Sequence, residues 1–383
     1  MRLLYRCMKA WVVSACMFSS VGCATHPNAP NCEQHHCVAV VDAGSTASRI
    51  YVYAYDLTAE QTPIHIEPIY VHKIEPGLAP VAADDVAVDA YVERLMSQVP
   101  HEIPVYFYAT AGMRLLPSHI QARSYKKITA WFSVHPQWSL KEARTISGED
   151  EALYGWLGLN YHLHRLEDAT QPLVGLLEIG GASAQIAFPL QHPEQIDPKD
   201  LRQIDVYGRH LTVFTHSFLG LGANEIFAHA QQHGACFPNG YLLANGESAL
   251  GDANTCQHEM GDLLNQTYQV KTLTHAALTK STIQDWYTVA AVTGMIGQKP
   301  FQLPEHAFTL HELLQQADDK LCHQDQQFLT QAYQGNQFIL RNCLVASYFY
   351  GLLVHGFEFH EQQTIYYLSD YDASWTVGCI FLI

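Results

Sequence analysis

The sequence predicts an α/β protein built as two lobes around a ligand cleft. The main reason is a short unit that occurs twice. Residues 42–50 read Asp42-Ala43-Gly44-Ser45-Thr46-Ala47-Ser48-Arg49-Ile50, and residues 178–186 read Glu178-Ile179-Gly180-Gly181-Ala182-Ser183-Ala184-Gln185-Ile186. Aligned without a gap, each gives an acid, a small or apolar residue, Gly, four small residues, a polar residue and Ile. An apolar run precedes each, and strand-like residues follow, so each reads as a buried strand, a Gly turn and a returning strand. The second reason is length: 383 residues exceed the size at which a single core stops growing. One hairpin per half suggests a duplicated fold whose two turns face each other across the cleft.

The elements follow in order from periodicity and composition. Residues 25–37 carry Pro, Asn, Gln and His without periodicity and read as a leader loop. Residues 38–55 form the first hairpin, and 66–74 a further strand. Residues 84–99 read as a helix, with Val88, Tyr91, Val92 and Leu95 at helical spacing. A short buried strand over 105–109 ends at Thr110-Ala111-Gly112. It places Thr110 and Arg114 at a strand's carboxyl end, where α/β sheets carry ligands. Residues 118–134 are helical. Ser147 reads as an N-cap with Asp150 as its capping partner; Glu149, Asp150 and Glu151 fill the first turn of a helix running through Leu153, Trp156, Leu157 and Tyr161. Residues 173–190 form the second hairpin, and 234–280 is loop-rich. Residues 308–316 and 325–331 are helical, 344–356 is apolar and aromatic, and 366–383 returns to close the first lobe. The expected organisation is a signal peptide over 1–24, lobe I over 38–152 plus 366–383, and lobe II over 153–365.

The paired turns suggest a ligand. Glycine lets backbone approach a bound group closely, and successive N–H groups then line a concavity that suits phosphate. Ser45, Thr46, Ser48 and Ser183 add hydroxyl donors. The acid closing each first strand cannot touch phosphate, because like charges repel, but it can hold a hydrated divalent cation that bridges to phosphate. Asp42 and Glu178 therefore read as metal-side acids acting through water. Two ordinary hairpins, small-residued for steric reasons, are the plainer alternative.

Arg2, Arg6 and Lys9, the mostly apolar run 10–21 and the small-residue site Gly22-Cys23-Ala24 read as a secretory signal peptide. The apolar run is about a dozen residues, against the roughly 20 that a membrane span requires. A lipid anchor on Cys23 is the other alternative. Net charge is −16, or about −19 without the leader. So acidic a chain will not bind nucleic acid through its general field. Past Ala24 seven cysteines remain: Cys32 with Cys37, Cys236 with Cys256 and Cys322 with Cys343 as spaced pairs, and Cys379 in the last apolar run. In an exported protein these read as three local disulfides and one buried thiol. The Cys32–Cys37 stretch, with His35 and His36, is alternatively a small metal site. The 22 histidines include no His-Glu-x-x-His pattern. A secreted or periplasmic monomer is expected.

Five segments resemble, in order, the five signature segments of the apyrase family, the nucleoside triphosphate diphosphohydrolases. They are Asp42-Ala43-Gly44-Ser45-Thr46-Ala47-Ser48-Arg49; Tyr108-Ala109-Thr110-Ala111-Gly112-Met113-Arg114-Leu115-Leu116; Gly148-Glu149-Asp150-Glu151-Ala152-Leu153-Tyr154-Gly155-Trp156; Glu178-Ile179-Gly180-Gly181-Ala182-Ser183-Ala184-Gln185; and Ser374-Trp375-Thr376-Val377-Gly378. The chain's shortness is similar to that of the soluble members, and the leader to that of secreted bacterial ones. The resemblance implies a two-lobed actin-like fold, ribonuclease H-like and duplicated, with the active site between the lobes. It also implies divalent-metal-dependent removal of terminal phosphate from nucleoside tri- and diphosphates. Three positions depart from the family pattern: Glu178 for Asp, Ala184 for Thr and, after Phe218-Leu219-Gly220-Leu221-Gly222, Ala223 where many cell-surface members carry a base-stacking basic residue.

Under this resemblance Glu151 is the base. Ser183 and Gln185 hold the water, Arg114 neutralises the terminal phosphate, and Thr110 joins the catalytic group. Gly44, Ser45, Thr46, Ala47, Ser48, Arg49, Gly180, Gly181 and Ala182 bind phosphate, and Asp42 and Glu178 hold Mg²⁺ or Ca²⁺ through water. Trp375 and Tyr350 are the candidates for stacking on the base, which presents a π-face whatever its identity. Two readings compete: an exopolyphosphatase or guanosine-pentaphosphate phosphatase on a similar pair of loops, and a non-catalytic nucleotide-binding protein.

Overall fold

The computed structural model describes residues 30–368 and 375–383. The expected signal peptide, Cys23, residues 25–29 of the leader and Ser374 lie outside the described residues.

The first sheet contains β1 (His36–Ala43), β2 (Ser48–Leu57), β3 (Pro63–Ile74), β4 (Pro104–Ala109) and β5 (Ser139–Thr145), ordered β3-β2-β1-β4-β5. β1 and β2 form the antiparallel hairpin, and β1–β4 and β4–β5 pair in parallel. β1 is apolar throughout its middle because both of its faces are covered. Ala39 and Val41 enter a core under α1 (Asp85–Met96) and α3 (Ser118–Ser133), whereas Val38 and Val40 enter a tyrosine-rich cluster on the other face. Between these helices, α2 (Ala111–Arg114) is a single turn that follows β4 directly.

The second sheet contains β6 (Gly175–Ile179), β7 (Ser183–Pro189), β8 (Leu201–Val206), β9 (Arg209–Leu219), β10 (Trp286–Ala290), β11 (Ala307–Thr309) and β12 (Thr364–Tyr366), ordered β11-β12-β10-β6-β7-β9-β8. Its inner five, β9-β7-β6-β10-β12, repeat the first sheet strand for strand. The first two neighbouring pairs alternate direction as β3-β2-β1 does, and β6–β10 and β10–β12 run parallel as β1–β4 and β4–β5 do. β8 and β11 are additions at the two edges. The hairpin echo in the sequence is thus the visible part of a five-strand duplication.

The remaining helices are α4 (Gly148–His162), α5 (Ala223–His229), α6 (Ala253–Gln266), α7 (Val270–Leu278), α8 (Ala291–Ile296), α9 (Leu310–Ala317), α10 (Gln326–Ala332), α11 (Asn342–Gly351) and α12 (Thr376–Cys379). α4 lies between the sheets and is buried almost all round. Leu153, Trp156 and Leu157 pack on the second sheet, while Tyr154 packs with Trp375 against the first. Cys32–Cys37, Cys236–Cys256 and Cys322–Cys343 are disulfides, and Cys379 is a buried thiol.

Several expectations are corrected. His36 and Cys37 already pair with Tyr55 and Ala54, so β1 begins inside the expected leader loop; ladder hydrogen bonds require no apolar side chain. The lobe boundary expected at 152/153 falls inside α4, a single continuous helix. Tyr366, expected to start the return to lobe I, pairs with Tyr287 in the second sheet. Phe308 lies in β11, and the following helix starts two residues later, where Thr309 and Glu312 form a reciprocal capping box. Ser147 accepts from the Asp150 N–H at 3.0 Å, but the Asp150 carboxylate turns away to Arg202 at 3.1 Å. The stretch 234–280 holds two helices, whose buried faces carry Cys256, Met260 and Leu264 on α6 and Val270, Thr274 and Ala277 on α7.

Candidate active site

The turns Gly44–Ala47 and Gly180–Ala182 meet across the cleft. Asn224, in the first turn of α5, donates through Nδ2 to Thr46 Oγ1 at 3.0 Å. A Cβ on Gly181 would lie 2.2 Å from Ser45 Oγ, so only glycine permits this approach. α5, which follows β9, starts against the second turn: the Ala223 and Asn224 N–H groups bond Gly180 O and Gly181 O, each at 2.9 Å. Among the described residues, the N–H groups of Gly44, Ser45, Thr46, Ala47, Gly181 and Ala182 enter none of the turn and loop backbone hydrogen bonds.

Two expected phosphate ligands behave differently. The Gly180 N–H bonds Ser183 O at 2.9 Å and so closes the turn itself. Ser48 is fully buried, and its hydroxyl accepts from Tyr91 at 2.5 Å beneath the first turn. Alternation along β2 sends Ser48 inward with Ile50 and Val52, a direction the loop motif does not display. Arg49 stands opposite Asp42 in the hairpin register.

Four of the expected catalytic side chains converge. Arg114 Nη2 donates to Glu151 Oε2 at 2.5 Å and to Ser183 Oγ at 3.2 Å. Gln185 Nε2 donates to Ser183 Oγ at 2.6 Å and to Glu151 Oε2 at 3.3 Å. They come from three anchors: Arg114 from α2, Glu151 from the start of α4, and Ser183 and Gln185 from one face of β7. Thr110 is buried at the end of β4, where its N–H bonds Ala43 O at 3.3 Å. It thus ties the end of β4 to the end of β1, and among the described residues no side-chain hydrogen bond joins it to the other four. One participant escaped the sequence reading: Ser217 on β9 accepts from Gln185 Nε2 at 3.2 Å. Its only signal was its place one residue before Phe218-Leu219-Gly220-Leu221-Gly222.

The electrostatics are those of an acid-rich pocket with one strong cation. Burial pushes the Glu151 carboxyl above the ordinary range, while Arg114 opposes the rise and Glu149 adds to it. Burial pushes Glu178 well above that range, and the like charges of Glu151 and Asp42 push it further. A group with the charge of a divalent cation would relieve this repulsion.

Both expected base-stacking residues are corrected. Trp375 is 4% exposed and lies between Tyr108 and Tyr154, with ring centroids 6.3 and 6.1 Å away. Tyr350 is 6% exposed in the core of the second lobe. Neither presents an open ring face. Elsewhere the half-buried Arg341 guanidinium lies 3.8 Å over the Phe227 ring and 6.0 Å from that of Phe338. Phe227 belongs to α5, the helix whose start is hydrogen-bonded to the second turn.

The profile of the GDA1/CD39 (nucleoside phosphatase) family matches residues 28–236 and 243–383. The nucleoside-diphosphatase uda-1 of Caenorhabditis elegans is 25% identical over 91% of this chain and 82% of its own length. Ectonucleoside triphosphate diphosphohydrolase 1 of Bos taurus is 31% identical over 58% of this chain and 50% of its own. The nucleoside-diphosphatase mig-23 of Caenorhabditis elegans is 30% identical, and the match spans 51% of that protein, about half its length. Among solved structures, nucleoside triphosphate hydrolases from Neospora caninum share the fold with a TM-score of 0.59 at 17% identity, covering 90% of this chain and 91% of that one. A Ppx/GppA family member from Aquifex aeolicus does so at 0.53 and 11%, covering 90% and 96%. The two-lobed actin-like architecture is shared by these structures. Among the described residues no helix is long and apolar enough to cross a membrane.

Proposed function

The chain belongs to the GDA1/CD39 (nucleoside phosphatase) family, and from that premise we propose that it hydrolyses the terminal phosphate of nucleoside tri- and diphosphates between its lobes. The observation that carries this reading is the convergence of buried Glu151 with Arg114, Ser183 and Gln185 beside the facing turns.

Hydrolysis needs a positioned water, a base beside it and neutralisation of the phosphate oxygens. Glu151 takes the proton as the water oxygen bonds to phosphorus, and the bond from phosphorus to the leaving nucleotide oxygen breaks. Ser183 and the carbonyl oxygen of Gln185 orient that water; the latter atom is buried and has no hydrogen-bond partner among the described residues. Arg114 spreads positive charge onto the terminal phosphate, and the N–H groups of the two turns hold the phosphate oxygens.

Asp42 and Glu178 fit a divalent cation, Mg²⁺ or Ca²⁺, because the like charges of Glu151 and Asp42 bear on the buried Glu178 carboxyl and a cation would offset them. Among the described residues no three His, Cys, Asp or Glu side chains are arranged to hold a metal directly, which suits a cation that keeps much of its water. When bound, the cation supplies further positive charge to the phosphate oxygens. The base rests on the Arg341–Phe227 platform, a stacking surface tolerant of base identity. The three disulfides support an exported protein.

The test is phosphate release by the purified chain lacking residues 1–24 from ATP, ADP and polyphosphate, with Mg²⁺ or Ca²⁺ and then with a chelator. Metal-dependent release from ATP and ADP that stops at AMP is expected. Release from polyphosphate but from neither nucleotide would replace this reading with exopolyphosphatase. ATP binding without release would make the chain a nucleotide-binding protein.

A further inference from the structure

We infer that Ser217 is a positioning residue for this hydrolysis, its hydroxyl holding the Gln185 side-chain amide in place beside Glu151. The inference rests on the reading above.

Gln185 and Ser217 are cross-strand partners of β7 and β9, so their side chains stand side by side on one face of the sheet. Ser217 is held from two directions. Behind it, His216 points to the opposite face, where Nδ1 meets the buried Asp200 carboxylate at 2.9 Å and the ring packs on Phe218 with centroids 4.4 Å apart. In front, the first residue of α4 presses on it. A Cβ on Gly148 would lie 2.3 Å from both Cβ and Oγ of Ser217, so the glycine at this position is what lets the helix seat against the serine. Glu151 follows three residues later on the same helix. Ser217 is therefore wedged between the backbone that carries Glu151 and the amide that faces it.

The Gln185 amide has two hydrogens and three acceptors: Ser183 Oγ at 2.6 Å, Ser217 Oγ at 3.2 Å and Glu151 Oε2 at 3.3 Å. The reverse orientation would set the amide oxygen against an ionised Glu151 and withdraw it from the water. Ser183 alone is a weak guide, because its oxygen also accepts from Arg114. A hydroxyl both donates and accepts, so the acceptor-only Glu151 carboxylate decides which end of the amide faces it. Ser217, with no other side-chain hydrogen bond among the described residues, accepts from the amide in that orientation and holds it there, leaving the carbonyl oxygen for the water.

Ser217→Ala is compared with the wild type on ATP with Mg²⁺, alone and in a Gln185→Ala background. We expect kcat to fall about ten-fold with KM within about two-fold, since a misaimed orienting group costs turnover more than binding. Ser217→Thr, which keeps the hydroxyl, should recover most of the loss. In the Gln185→Ala background, Ser217→Ala should cost less than about two-fold, because the two act as a unit. Ser217→Cys, whose thiol is a weak acceptor, should reproduce most of the kcat loss and keeps the test open should Ser217→Ala fold poorly. An unchanged kcat in Ser217→Ala, or an equal loss with and without Gln185, would overturn the inference. A wild-type chain that releases no phosphate overturns instead the reading on which it rests.

Discussion

Glu151 is a carboxylate that burial discourages from ionising and that Arg114, at 2.5 Å, holds toward the charged form. A general base works only when deprotonated, so its rate falls as pH drops through its pKa. Since that pKa is raised, the acid limb of kcat/KM should begin above the ordinary glutamate range near pH 4.5. Replacing Arg114 by Gln removes the stabilising charge, raises the pKa further and moves the limb to higher pH; a pH profile of the variant checks the sign. A limb that moved down would mean that Glu151 is not the titrating group. Arg341 makes a different prediction. Arg341→Ala should raise KM for ATP, GTP and UTP alike, because a π-face is common to all bases, and leave kcat within about two-fold. A loss confined to one base would point to hydrogen-bond readout instead. At this scale the sequence was informative where chemistry requires a residue type at a fixed spacing. It was misleading where direction decides the outcome. Ser48 and Trp375 have the right chemistry for phosphate and base, but strand alternation and a crowd of tyrosines turn them inward.

Elements were legible when only one side of them needed explaining. α1 shows its buried stripe openly, with Val88, Tyr91, Val92 and Leu95 toward the core, and its start is marked by Asp84. That carboxylate accepts from the N–H groups of Val86 at 2.9 Å and Ala87 at 3.2 Å. Asp84→Ala should lower stability by about 1 kcal/mol, read by denaturant unfolding, and leave phosphate release unchanged, since α1 packs behind the first sheet. A loss of activity at full stability would place this cap in the catalytic path. α6 was less legible: its apolar positions are sparse, and a disulfide through Cys256 does part of the work of anchoring it. β11 was invisible because three residues carry no measurable alternation, and its sequence runs straight into the capped helix α9. α4 is the opposite case. Sheets on both sides remove any polar face, so its existence had to be read from Ser147 and the acids at its start.

At the scale of the whole molecule, the echo of two nine-residue units foretold a repeat of five strands. The edge additions β8 and β11 could not be foretold, because an added edge strand changes no motif. The duplication sets the two Gly turns against each other, and the contact between them has a functional consequence. Thr46 and Asn224 are hydrogen-bonded across the cleft, and Ser45 touches Gly181. On the far side, Tyr161 accepts from the Ile66 N–H at 2.8 Å and Tyr207 donates to Pro63 O at 2.8 Å, tying β3 to the second lobe. If phosphate binds between the turns, as proposed, they should part to admit it, and the ties to β3 leave the mouth of the cleft as the place where parting is least hindered. A Thr46→Cys, Asn224→Cys double variant tests this, since the other described cysteines are paired or, as with Cys379, buried. A short bis-maleimide bridging the two thiols should abolish phosphate release, whereas the unbridged variant and single-cysteine variants capped with a monofunctional maleimide should keep measurable turnover. Turnover by the bridged protein at the unbridged rate would show that nucleotide reaches Glu151 without separation of the two turns.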